Sequence, residues 1–127
     1  MTTRPCGRSA GYTDPVLING VPVAAVDLLG RARQLHSAFE GLHHELLHRV
    51  DAPNQVVIAF LMRGTHSGAY RTPLGDVAPT GTPVAIRTID VLTLTEGRVS
   101  AVWVVADELG LLTGLGAVAL TAAADVG

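Results

Sequence analysis

Residues 84–105 read VAIRTIDVLTLTEGRVSAVWVV, and this stretch decides the class of fold. Its two halves, Val84 to Leu94 and Arg98 to Val105, are rich in the valine, isoleucine and threonine that favour strands. The Glu96-Gly97 pair between them is typical of a tight turn. We therefore predict a β-hairpin here, the unit from which antiparallel sheets are built.

The chain upstream of this hairpin predicts one helix and a further strand. Apolar residues recur at helical spacing from Val23 to Phe39, which indicates an amphipathic helix that Gly41 would end. Gln55 to Arg63 predicts a strand, whereas residues 1–22 and 71–83 contain several glycines and prolines and predict loops. One helix followed by strands joined by hairpins predicts an α+β fold, with a curved antiparallel sheet wrapped on the N-terminal helix.

The composition excludes several classes of function. The chain has 127 residues, of which 48% are hydrophobic and 16% charged, so we expect a buried subunit interface, an apolar cavity or both. The net charge is −2 and the nine basic residues are scattered arginines, a pattern that argues against nucleic acid. The arginine-for-lysine usage also suggests a bacterial coding sequence.

Two further features concern location. The longest apolar stretch, residues 117–124, is too short to span a bilayer, so we expect no membrane partner. Cys6 is the single cysteine, which leaves no internal disulfide and predicts an exposed tail thiol. We therefore expect a cytoplasmic protein.

The segment His44-Glu45-Leu46-Leu47-His48 matches the H-E-x-x-H pattern of zinc peptidases. That chemistry needs a helix, on which residues four apart share one metal. Gly41 interrupts the helix just before the segment, and a strand would place His44 and His48 on one face about 13 Å apart. A metal peptidase is thus the least favoured function, no metal is expected, and we predict histidines on an edge or interface strand.

Several sequence elements together resemble the SnoaL-like polyketide cyclase and ester cyclase family, within the nuclear transport factor-like superfamily. They are RGTHSG at 63–68, PTGTP at 79–83, the W-x-x-x-D spacing of Trp103 and Asp107, and LGLL at 109–112.

The resemblance covers residues 12–116 and implies a cystatin-like cone around an apolar pocket, as in ketosteroid isomerase and limonene epoxide hydrolase. It also implies a homodimer and no cofactor. Residues 1–11 and 117–127 are then predicted as tails, and the family's first helix is predicted to be missing.

Strand alternation selects Asp90 as the first candidate catalytic residue. It lies in an apolar row of its strand, where lost hydration would raise its pKa and make it a general base near neutral pH. The alternative is a structural ion pair with Arg87 or Arg63. The residues predicted to line the pocket around it are Ile86, Thr88, Leu92, Val102, Val104, Trp103, Phe60 and Met62.

Three other polar residues are candidates for binding a substrate oxygen. His66 follows Gly64 and Thr65 and could shuttle a proton, but it could equally hold its loop by hydrogen bonds. Tyr70 and Arg63 could donate to an oxyanion or serve as anchors. Asp107 precedes residues typical of a helix, so we predict that it caps that helix.

The chain departs from the family at two positions. In the family, the position that matches Val104 carries a catalytic Asp and the position that matches Asp90 carries a pocket His. The resemblance therefore implies a cofactor-free acid/base enzyme, a cyclase or isomerase that acts through an enolate on an apolar polyketide-like or polycyclic metabolite. The alternatives are an epoxide hydrolase or epoxide-opening cyclase, and a non-catalytic small-molecule-binding protein, which the loss of Asp at Val104 favours.

Overall fold

The structure is a computed structural model, which describes residues 11–122. Eight strands and two helices are found in this part of the chain. Their bounds are β1 Tyr12–Ile18, β2 Val21–Val23, α1 Ala25–Ala38, β3 Phe39–Ala52, β4 Gln55–His66, β5 Tyr70–Thr72, β6 Gly75–Val77, β7 Pro83–Thr95, β8 Arg98–Ala106 and α2 Glu108–Gly114.

The main sheet has six strands in the order β2-β1-β8-β7-β4-β3, and β5 and β6 form a separate hairpin. The α+β prediction is confirmed, but the sheet is mixed rather than purely antiparallel. Strand β1 runs parallel to β8, with Leu17 opposite Ala101 and Ile18 opposite Val102. The predicted loop over residues 1–22 is therefore wrong for β1 and β2. Proline is tolerated in both strands, because Pro22 lies on the edge strand β2 and Pro15 lies where the register between β1 and β8 shifts.

The predicted helix is confirmed as α1 and ends sooner than expected. Asp14 Oδ1 accepts a hydrogen bond of 3.0 Å from the backbone N–H of Ala25, which satisfies one free donor at the helix start. Phe39 then takes extended backbone angles and pairs with His66 on β4. The helix thus stops at Ala38 because strand pairing begins there, and Gly41 lies within β3.

The predicted hairpins are confirmed, with one addition. Glu96 and Gly97 both have positive φ, 51° and 78°, as the tight turn between β7 and β8 requires. The region 71–83 contains the short β5–β6 hairpin as well as loop. Within residues 11–122, α1 is the first helix, and no helix there is long and apolar enough to cross a membrane.

Two apolar clusters hold α1 against the sheet, one near each end of the helix. The first joins Ala38 and Leu35 of α1 to Ile86 of β7 and Leu111 of α2. The second joins Leu28 to residues of β1, β2, β7 and β8, among them Val102. We call the sheet face that carries α1 the inner face and the opposite face the outer face. The middle of the inner face lies between the two clusters.

The predicted helix cap is confirmed as well. Asp107 accepts a hydrogen bond of 2.9 Å from the N–H of Gly110 at the start of α2. Its other oxygen pairs with Arg87 at 3.0 Å. Both hydrogen bonds hold the pKa of Asp107 below its usual range, and the one from Gly110 has the larger effect. The predicted thiol at Cys6 and most of the predicted N-terminal tail lie outside the described residues.

Candidate functional site

Strand β7 presents alternate side chains to the inner face. Ile86 and Thr88 on this strand are buried, and Leu92 packs in the cluster that contains Leu28 of α1. Asp90 lies between them in the alternation and is directly opposite Ile58 of β4. On its other side, β8 places Val104 opposite Asp90. A carboxylate therefore lies in the middle of the inner face, between two aliphatic side chains.

The Asp90 carboxylate lacks the partners that usually accompany a buried charge. Its Oδ1 is closed off from solvent and has no hydrogen-bond partner among the described residues. The arginines proposed as alternative partners are engaged elsewhere: Arg87 with Asp107 at 3.0 Å, and Arg63 with Glu45 at 2.6 Å. Burial raises the pKa of Asp90, and the nearby charge of His44 opposes that shift in part. Asp90 thus forms no ion pair with any residue of the described range 11–122.

His44 is the residue that sequence reasoning missed. It belongs to β3, where it is opposite Met62 and therefore shares the inner face with Phe60 and Met62. Its ring meets the Phe60 ring edge-on at a centroid distance of 5.0 Å. The signal for it in the sequence is the period of two that places Leu42, His44 and Leu46 on one face of a strand.

The structure places the H-E-x-x-H segment on β3, an edge strand of the sheet, as expected. One prediction about it is wrong. The register shifts between Leu46, which is opposite Phe60, and His48, which is opposite Ala59. This bulge at Leu47 turns His48 to the outer face, so His44 and His48 do not share a face. Among residues 11–122, no three His, Cys, Asp or Glu side chains are grouped as metal ligands.

His66 lies far from Asp90. It is fully buried at 0% exposure, and its Nδ1 is 2.9 Å from Thr80 Oγ1 and accepts the Thr80 backbone N–H at 3.2 Å. Because Nδ1 accepts, Nε2 carries the hydrogen, and this atom has no partner among the described residues. Ile58, opposite Asp90, is eight residues from His66 along β4, roughly 26 Å of strand. His66 therefore holds the loop that contains Thr80 and does not meet Asp90.

Tyr70 and Arg63 also have partners away from Asp90. The Tyr70 hydroxyl donates to Glu108 at 3.0 Å, and its ring is 5.4 Å from the Phe39 ring. Burial, followed by the hydrogen bond to Glu108, raises the pKa of Tyr70 to about 12. Arg63 alternates with Met62 and lies on the outer face with Glu45. Neither placement supports the predicted contact with a substrate oxygen beside Asp90.

Most of the predicted pocket-lining residues share the face of Asp90. By strand register these are Ile86, Thr88, Leu92, Val102, Val104, Phe60 and Met62. Trp103 is the exception, and the prediction for it is wrong. It alternates with Val102 and Val104, so it lies on the outer face, where its side chain is 58% exposed.

The outer face is unusually apolar for a solvent-exposed surface. Ile89 is 51% exposed and Val105 is 74% exposed, and Leu47 and Trp103 are exposed on the same face. A shallow depression of about 500 Å³ lies among Leu47, Ala59, Ile89 and Val105. A contiguous patch of exposed apolar side chains usually marks an interaction surface.

The fold and the site together define an α+β cone protein with the Asp90 carboxylate among aliphatic side chains of the inner face. The sequence profile of SnoaL-like polyketide cyclases matches residues 10–115, so the chain belongs to the SnoaL-like polyketide cyclase family. Comparison with curated protein sequences finds no significant match.

Solved structures show the same fold at low sequence identity. AclR of Streptomyces galilaeus, a proposed hydroxylase, superposes with a TM-score of 0.72 at 22% identity, covering 86% of this chain and 80% of AclR. A proposed SnoaL-like polyketide cyclase of Jannaschia also gives 0.72, at 20% identity over 86% and 76%. IdmH of Streptomyces antibioticus, a proposed polyketide cyclase, gives 0.68 at 21% identity over 83% and 81%.

Proposed function

We propose that this protein is a cofactor-free acid/base enzyme, a cyclase or isomerase that acts on an apolar, polyketide-like or polycyclic metabolite. The observation that carries the proposal is the Asp90 carboxylate, which lies on an apolar face with a buried oxygen that has no partner. A desolvated carboxylate without an ion pair is a stronger base than an exposed one, because burial destabilises its charged form.

The register of the β7–β8 hairpin supports this proposal in a second way. In the family, as the resemblance implies, the catalytic Asp occupies the position of Val104. Asp90 is directly opposite Val104, so the two Cβ atoms are about 5 Å apart. In this proposal the acid/base carboxylate lies one strand spacing from the position that it has in the family, and a flexible ligand on the inner face would need only a small shift to meet it.

The proposed reaction begins with proton transfer. Asp90 takes a proton from a carbon beside a carbonyl group, and the electron pair of the C–H bond moves into the enolate. The enolate carbon then attacks a second carbonyl, which closes a ring and forms an alkoxide that takes the proton back from Asp90. Alternatively, Asp90 returns the proton to another carbon of the enolate, which isomerises the substrate. His44 shares this face and is coupled electrostatically to Asp90, so we propose that it replaces His66 as the partner that donates to the enolate oxygen.

A second candidate is a non-catalytic pocket protein. The specific observation in its favour is Val104 itself, which leaves the position of the family Asp without an acid/base group. In that case the inner face binds an apolar ligand, and binding does not depend on the charge of Asp90.

We further propose that the protein is a homodimer in which the two outer faces meet. The support is the exposed apolar side chains of Ile89, Trp103 and Val105, which a second copy of the same face would cover. The single domain at residues 12–116, the cytoplasmic location and the bacterial origin remain predictions.

A carboxylate swap tests the proposed function. Aromatic polyketide analogues with exchangeable α-protons are incubated in deuterated buffer, and deuterium uptake is followed by mass spectrometry. Asp90→Val alone should lower the rate about 10²–10⁴-fold, the usual contribution of a general base. Adding Val104→Asp should restore much of it, because the carboxylate returns to the inner face one strand away. Glu96→Gln, a change on an exposed acid of the β7–β8 turn, is the control.

The outcomes separate the two candidates. If Asp90→Val exchanges as fast as the unaltered protein, Asp90 is not the base. If no analogue exchanges above the buffer rate yet several bind, the binding-protein hypothesis is preferred.

A further inference from the structure

Three arginines lie around one cleft on the side of α1. Arg31 and Arg33 belong to α1 and Arg71 to β5, and all three line a cleft of about 510 Å³ together with Gln34, Ser37 and Tyr70. The protein has nine basic residues and a net charge of −2, so the cleft gathers three of the nine positive charges in a chain that is negative overall. The inner-face site around Asp90 shares none of these residues.

The arginines of this cleft are not neutralised within the described chain. The ion pairs of residues 11–122 use Arg49, Arg63 and Arg87, none of which lines the cleft. Two acids are close in sequence or register: Asp27 precedes Arg31 by one helical turn, and Asp76 is opposite Arg71. Neither forms an ion pair there. Arginines that are close together and not held in ion pairs repel one another, so an anion in the cleft would relieve that repulsion.

The walls of the cleft are fixed relative to each other by the backbone. The N–H groups of Ser67 and Gly68 donate to the carbonyl of Ala38 at 3.0 and 3.1 Å. These hydrogen bonds hold the segment that precedes β5 against the end of α1. Gly68 permits this closeness, because a Cβ there would lie 2.1 Å from the Ser37 carbonyl oxygen. The arginine-bearing elements therefore meet in one defined arrangement.

The remaining groups indicate what else the ligand carries. The Tyr70 hydroxyl is engaged by Glu108, so its ring, with the Leu35 side chain, supplies an apolar wall. Gln34 and Ser37 add neutral hydrogen-bonding groups at the rim. The volume exceeds the needs of a single inorganic ion, since organic ligands occupy sites from about 300 Å³ upward.

We infer that this cleft is a binding site for a phosphate ester with an apolar or aromatic body. The planar guanidinium group matches phosphate oxygens in pairs, and three guanidinium groups suit a dianion better than the single charge of a carboxylate. The inference is independent of the proposed function, because the cleft shares no residue with the inner-face site.

Titration calorimetry with phenyl phosphate tests the inference, with inorganic phosphate and benzoate as comparison ligands. The double variant Arg33→Gln with Arg71→Gln should weaken phenyl phosphate binding by about tenfold or more, as expected when charge-assisted hydrogen bonds are lost. Arg98→Gln makes the same kind of charge change in the β7–β8 turn, away from the cleft, and should leave the affinity unchanged. Asp90→Asn should also leave it unchanged, which separates this test from that of the proposed function.

Four results would overturn the inference. They are no binding of phenyl phosphate at millimolar concentration, equal weakening by Arg98→Gln, equal affinity for benzoate, and equal affinity for inorganic phosphate. Either of the first two results would show that the cleft is not the binding site. The third would show that it does not prefer phosphate to carboxylate, and the fourth that it does not recognise the organic part of the ligand.

Discussion

The unpartnered carboxylate of Asp90 predicts that replacing it with an apolar residue stabilises the protein. A buried polar group without a partner costs about 1–3 kcal/mol. Only Oδ1 is closed off, and the side chain as a whole is half-buried, so solvent screening reduces the estimate to about 1 kcal/mol. Valine suits the site, because Ile58 and Val104 are its cross-strand neighbours. Asp90→Val should therefore raise Tm by about 4 °C near neutral pH.

The pH dependence of that gain identifies its cause. Burial raises the folded-state pKa of Asp90 above its unfolded value, so the folded state favours the protonated form. The contribution of Asp90 to stability is therefore fully present below the unfolded pKa and is lost as the pH rises through the folded pKa. The advantage of Asp90→Val should be largest at neutral pH and smallest in acid, below the unfolded pKa of about 4.

Thermal and denaturant unfolding of the two proteins between acid and neutral pH provides the assay. Asp51→Val is the matched control, because Asp51 is exposed on β3 and pairs with Arg49 at the surface. It should give no gain in stability. If Asp90→Val is no more stable than the unaltered protein at neutral pH, burial of the carboxylate does not destabilise the fold. If the gain in stability is the same in acid, the charge of Asp90 is not its cause.

Three further predictions concern the scaffold. Gly30→Ala should stabilise α1 by about 0.5–1 kcal/mol, since nothing lies within 4 Å of the added Cβ. Gly68→Ala should strongly destabilise the protein, since its Cβ would clash with the Ser37 carbonyl oxygen. Chemical denaturation measures the free energy of unfolding of both variants. Asp107→Ala should lower Tm at neutral pH, as measured by scanning calorimetry. Because the folded-state pKa of Asp107 is depressed, the difference in Tm between the variant and the unaltered protein should vanish as the pH falls through that pKa. Val105→Asp on the outer face should convert a dimer to monomers in light scattering, and an unchanged mass would contradict the proposed interface.

The sequence contains local signals for much of the fold. The alternating β-branched residues of 84–105 predicted β7, its turn and β8, because each residue's face follows from its neighbours. The apolar spacing of 23–39 predicted α1 in the same way. Strand β1 has no such signal, since its proline and glycine neighbours resemble loop and its pairing with β8 joins residues far apart in the chain.

In the candidate site, too, local patterns predicted the face of a residue but not its contacts with distant segments. Alternation placed Asp90 on the inner face, but it could not show that Oδ1 lacks a partner, because that depends on side chains from other strands of the sheet. The bulge at Leu47 changed the face of His48, and no local pattern marks it. The partners of His66 and Tyr70 are Thr80 and Glu108, and a contact between distant segments is not encoded in the spacing of either one.

A carbon-13 NMR titration measures the pKa of the Asp90 carboxyl group in the folded protein, with Asp90→Asn used to assign its resonance. We predict a midpoint above the usual aspartate value of about 3.9, because burial without an ion pair disfavours the charge. A shift of the His44 ring signals through the same transition would support their coupling. A midpoint at or below the usual value would show that the carboxylate is solvated or paired, and would contradict its role as the base of an apolar site.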